Sequence, residues 1–173
     1  MRKSLALFTL GVVIAAVTTS VIRKEQTLAV GQPMFLALAP RDPRSLMQGD
    51  YMVLRYQMAT AVPMDGLARK GRLVVSLDTN NVATFARVYS KGKLAANEHL
   101  LVYRKRDGLR LGAESFFFQE GDAHFYDRAR YGELRVAASG HSVLVGLLDE
   151  KLQPLGRPPA SRPDASSPEP GRP

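Results

Sequence analysis

Eighteen consecutive uncharged residues, Leu5 to Ile22 within "SLALFTLGVVIAAVTTSVI", limit what the start of this chain can be. Rising about 1.5 Å per residue, a helix of that length covers about 27 Å, close to the ~30 Å hydrocarbon core of a bilayer. The segment can span. The competing reading is a cleaved signal peptide, with Thr18 and Ser20 as a weak small-residue cleavage site, although such apolar regions ordinarily run about 7 to 15 residues. Length and the Arg23-Lys24 flank favour an uncut anchor over residues 1–25. Arg2, Lys3 and the terminal amine outweigh Arg23 and Lys24, which Glu25 offsets, so the expected orientation is single-pass with the body facing outward into a periplasm.

The formal charge of +8 suggests nucleic acid until it is divided along the chain. Residues 26–153 carry 17 basic and 13 acidic groups, a modest excess. Two local clusters, Arg69-Lys70-Gly71-Arg72 and Arg104-Lys105-Arg106, can touch anionic lipid or a partner, but short charge runs usually belong to solvated loops or edge strands. No stacking aromatics accompany them, so no nucleic-acid partner is expected. The lack of cysteine rules out disulfides, thiolate metal sites and cysteine nucleophiles.

Residues 26–153 read as a mostly β domain with a minor α part. An extended approach and a Gly-Gln-Pro break lead to a strand over Met34–Leu38. From Asp50, alternation sets Met52, Leu54, Tyr56 and Met58 on one face and Tyr51, Val53, Arg55 and Gln57 on the other. Three hairpins follow, turning at Asn80-Asn81, Asp107-Gly108 and Ser139-Gly140. The second is expected to set Leu101 and Tyr103 opposite Phe116–Phe118, while "GDAHFYDRARYG" has the composition of about two helical turns from Asp122 to Gly132. Tyr89, Tyr103, Tyr126 and Tyr131 read as amphipathic packing at sheet edges. The expected architecture is an antiparallel sandwich or partly open barrel. Residues 154–173 hold seven prolines and no aromatics, the composition of a disordered tail.

The most distinctive stretch is "RDPRSLMQGDYMVLRY", residues 41–56. Asp42-Pro43 suits a short helix start and Gly49 its end, with Asp50 bonding amides as the chain turns into the strand. Asp42, Pro43, Gly49, Leu54 and Tyr56 are thus structural, while Arg41, Arg44, Asp50 and Tyr51 are candidate contact groups. Within it, "GDYMVLRY" fits G-D-Y-x-x-L-x-Y, and with the preceding "PRDPRSLMQ" and the later "ESFFFQEG" the chain resembles the GDYXXLXY family of bacterial proteins. That resemblance implies a small membrane-anchored protein without an established activity, often associated with larger integral-membrane proteins.

Catalytic readings are weaker. "SLMQGD" is similar to T-L-x-x-G-D of type I signal peptidases, which also join an anchor to a β domain. The serine of that pattern lies eight residues before the glycine, where this chain has Arg41, and Lys91 looks solvated where a Ser-Lys mechanism needs a buried lysine. Glu114 and Glu120 bracket "SFFFQ" as a possible acid pair whose pKa values apolar surroundings would raise. The blander reading gives each a basic partner such as Arg104 or Arg128, or a place at a strand end. His99, His124 and His141 lie in separate elements without ligand spacing, and no phosphate loop is present, so neither metal nor cofactor is expected. The sequence therefore points to a membrane-anchored binding or assembly module working with an integral-membrane protein in the bacterial inner membrane, with a hydrolase as the alternative.

Overall fold

A computed structural model of the protein describes residues 2–40 and 51–156, with side chains from residue 9 onward. Helix α1 runs Arg2–Val30, five residues beyond the expected anchor boundary. The extended approach expected after Glu25 is therefore helical. Thr27 explains part of the extension, because its hydroxyl donates to the Arg23 carbonyl at 2.9 Å and adds a bond within the helix where the side chain is buried. The helix stops at Gly31, whose amide donates to the Thr27 carbonyl at 3.0 Å. A Cβ there would stand 2.2 Å from that oxygen and 3.1 Å from the Val136 nitrogen, so only glycine fits the corner. Among the described residues, no helix is long and apolar enough to cross a membrane. Residues 9–26 are exposed on every side of α1, and only its last turns pack against the body.

Three antiparallel sheets curl about one core, giving a mostly β body with a minor helical part. Strand β1, Gln32–Ala37, lies at one edge of a three-stranded sheet beside β8, Tyr131–Val136, which in turn pairs with β9, Ser142–Leu148. Pro33 is tolerated because β1 is an edge strand. A two-stranded ribbon joins β2, Tyr51–Val53, to β7, Ser115–Phe117. The four-stranded sheet takes the order β4 (Ala83–Val88), β3 (Lys70–Leu77), β5 (Glu98–Lys105), β6 (Leu109–Arg110). Met34, Leu36, Met52, Leu54, Leu73, Leu101, Leu134 and Leu147 are all buried in a single cluster. Each such side chain contributes about 1.5–3 kcal/mol by leaving water.

All three expected hairpins form, with Asn81 at φ 62°, Asp107 at 34° and Gly140 at 88° supplying the left-handed turns. Five local expectations need correction. The strand from Asp50 does not reach Met58: Tyr56 makes only an isolated bridge to Leu38, and helix α2, Gln57–Ala61, begins directly after it. Gln, Met and Ala are good helix formers, and Pro63 bars continuation. The burial alternation nonetheless holds, with Met52, Leu54, Tyr56 and Met58 all buried.

The strand after Asp107-Gly108 is also broken. Glu114 turns its carboxylate onto the amides of Leu111 and Gly112, taking them from any ladder, and the chain leaves β5. Phe116 and Phe117 consequently pair with Met52 and Tyr51 instead of lying opposite Leu101 and Tyr103. The helical segment is one 3₁₀ turn, Asp122–Tyr126, because Tyr131 and Gly132 already belong to β8. Tyr103 is not at an edge but in the core, 1% exposed. Beyond β9, Pro154 bridges back to Leu148 and the Leu155 amide donates to the Leu147 carbonyl at 2.8 Å, so the fold includes residues 154–156 of the expected tail.

Candidate functional site

Arg41, Asp42, Pro43, Arg44, Gly49 and Asp50 lie outside the described residues. The described part of the motif begins at Tyr51 and divides cleanly between two faces. Met52 and Leu54 point into the core, and the Leu54 amide donates to the Glu114 carbonyl at 2.7 Å. Tyr56 is 2% exposed, and its hydroxyl donates to the Ala113 carbonyl at 2.6 Å. That bond ties the motif to the loop between β6 and β7. Burial, and next the negative charge of Glu114, push the Tyr56 phenol well above its ordinary range, so it stays a donor. A Cβ at Gly132 would stand 3.1 Å from the Tyr56 ring, which is why β8 carries glycine under it.

Glu114 completes this lock. Its carboxylate accepts from the Gly112 amide at 3.0 Å and from the Leu111 amide, fixing the loop whose Ala113 carbonyl Tyr56 engages. Backbone amides stand where a basic partner is one expectation, and Glu114 directly precedes Ser115 at the strand end that the same reading allows. Glu120 lies beyond the end of β7 and is exposed.

The outer face is different in kind. Tyr51 and Phe117 stand directly opposite in the β2–β7 ribbon, with ring centroids 5.7 Å apart and planes inclined at 36°. Phe117 is 73% exposed, and Val53, the next outward residue, is also exposed. On the inner side Phe116 meets the Tyr126 ring edge-on at 5.0 Å, and Phe118 lies 5.5 Å from it. Tyr126 has its phenol raised by burial, then by Asp122. The inner cluster thus supports a ribbon whose outer rings face solvent. Sequence alone does not single out Phe117, although alternation within "SFFFQ" sets it on the opposite face from Phe116 and Phe118.

Among the described residues, no three histidine, aspartate or glutamate side chains are grouped to hold a metal ion. Lys91 is exposed. The family described as GDYXXLXY protein matches this sequence over residues 13–147. The chain belongs to the GDYXXLXY family. Its match takes in α1 from residue 13, the motif and all three sheets through β9. No curated protein and no solved structure matches the chain. In this GDYXXLXY protein, the motif's second tyrosine closes the core and its first tyrosine helps to form an exposed aromatic pair.

Proposed function

We propose that this GDYXXLXY protein is a membrane-anchored binding or assembly module that acts by contact, holding its body at the periplasmic side of the bacterial inner membrane beside an integral-membrane partner. The anchor reading is supported by the uncharged run at residues 5–22 and by the solvent exposure of Leu10, Val12, Val13 and Ile22 around α1. An apolar helix exposed all round has no stable place in water and calls for lipid or other helices around it. The observation that carries the contact reading is the Tyr51–Phe117 pair. Two facing rings on a short ribbon, backed by the Phe116–Tyr126 cluster, form a rigid apolar platform of the sort that anchors protein interfaces. Tethering both molecules in one membrane raises their effective concentration, so a small platform suffices.

The test is crosslinking in intact membranes. The wild-type chain should give discrete adducts with an integral-membrane protein, and a Tyr51→Ala, Phe117→Ala double variant should lose them at unchanged abundance. Unchanged adducts in that variant, or a wild-type body with no adduct at native abundance, would remove the contact reading.

A further inference from the structure

The two basic clusters that sequence treats separately meet on one surface. In the register of the four-stranded sheet, Lys70 of β3 stands opposite Arg104 of β5, and Arg104 stands opposite Arg110 of β6. Directly opposed residues share a face, so three exposed cations form a row across three strands. Like charges so placed repel, and the ion pairs among the described residues, Arg87–Glu98 and Arg135–Glu133, do not draw on this row. Arg106 extends the group into the hairpin turn. Lys105 is occupied elsewhere, its ammonium donating to the Met64 carbonyl at 2.8 Å.

The position of this row gives it a partner. Lys24 of α1 lines the same open cavity as Arg104, Arg106 and Arg110, with Asp107 and Glu114 as its acidic members. The β8–β9 turn makes the connection: α1 packs on both of those strands, and the Gly140 carbonyl accepts from the Val102 amide of β5 at 2.8 Å. Lys24 follows the uncharged run by two residues, about 3 Å along a helix. If residues 5–22 occupy the hydrocarbon, groups that share a cavity with Lys24 stand at headgroup depth.

We infer that Lys24, Arg104, Arg106, Arg110 and Lys70 form a collar that binds the phosphates of anionic phospholipids in the leaflet from which α1 emerges. This rests on the anchor reading given above. Arginine suits the role, since its planar fork bonds two phosphate oxygens at once. Each cation near a charged lipid surface attracts it, and a clustered set selects anionic over zwitterionic lipid. The collar would fix which side of the body faces the bilayer and thereby which sides remain open to a partner.

The full chain, reconstituted in phosphatidylcholine containing a minor fraction of phosphatidylglycerol, allows a direct test with spin-labelled lipids. Wild type should hold labelled phosphatidylglycerol over phosphatidylcholine by roughly threefold or more at low salt, and lose that preference as salt screens the collar. An Arg104→Gln, Arg106→Gln, Arg110→Gln variant should fall to no preference, whereas Lys91→Gln, Lys93→Gln, which removes two exposed lysines outside the collar, should retain it. Inorganic phosphate at matched ionic strength should leave the preference intact; displacement by it would assign the surface to a free anion and overturn the lipid assignment. Alkaline carbonate extraction separates the two readings. A chain retained by the membrane but without lipid preference overturns the collar alone, and a chain released by carbonate overturns the anchor and the collar with it.

Discussion

Tyr51 and Tyr56 come from one eight-residue motif and have opposite fates. Tyr56 is enclosed, donates one short hydrogen bond and sits on a glycine; Tyr51 tilts against Phe117 on a face open to solvent. The difference arises from strand geometry followed by a bend. Residues 51, 53 and 55 point outward and 52, 54 and 56 inward, and α2 begins directly after Tyr56. One side of the motif is thereby committed to stability, which leaves the other free to serve recognition.

Four substitutions test that division, in decreasing order of effect. Tyr56→Ala should destabilise the body by about 3–5 kcal/mol, because it opens a cavity and orphans the Ala113 carbonyl. Chemical denaturation of the full chain in detergent measures it, and a loss below about 1 kcal/mol would mean that the inner face is not the closing element. Tyr56→Phe keeps the ring and should cost about 1–3 kcal/mol near neutrality.

The same pair also predicts a pH dependence. A phenol whose folded pKa is raised contributes stability that is complete below its unfolded value, about 10, and is lost as pH rises above it. Wild type should therefore lose stability above about pH 10 more steeply than Tyr56→Phe. Parallel alkaline curves would break the assignment.

The smallest stability effect belongs to the outer pair. Tyr51→Ala or Phe117→Ala should cost roughly 0.5–1.5 kcal/mol, the range of an aromatic contact, while abolishing the membrane adducts. A loss as large as that of Tyr56→Ala would make both tyrosines structural and erase the contrast.

Sequence made the inner face legible through plain alternation, since Met52, Leu54, Tyr56 and Met58 are all buried even though the last lies in a helix. Hairpin turns were equally readable because Asn81 and Asp107-Gly108 advertise left-handed backbone. What sequence could not supply were long-range choices. Nothing local says that β7 leaves β5 for β2, because that depends on Glu114 capturing two amides three and two residues behind it. Nor does either basic cluster reveal the other, since the Lys70–Arg104 register exists only once β3 and β5 are paired. The end of α1 is hidden from sequence for a similar reason. Thr27 and Gly31 look like the start of an extended segment until β8 closes around them.

Between the last residue of α1 and the first of β1 there is only Gly31. That corner has neither the length nor the empty room of a swivel, and the packing of α1 on β8 and β9 braces it from the side. The body is therefore mounted like a bracket rather than hung from a cord. Whatever grips the helix sets the bearing of the whole sheet assembly, and a few flexible residues inserted at this one joint would let the two parts lose their common direction.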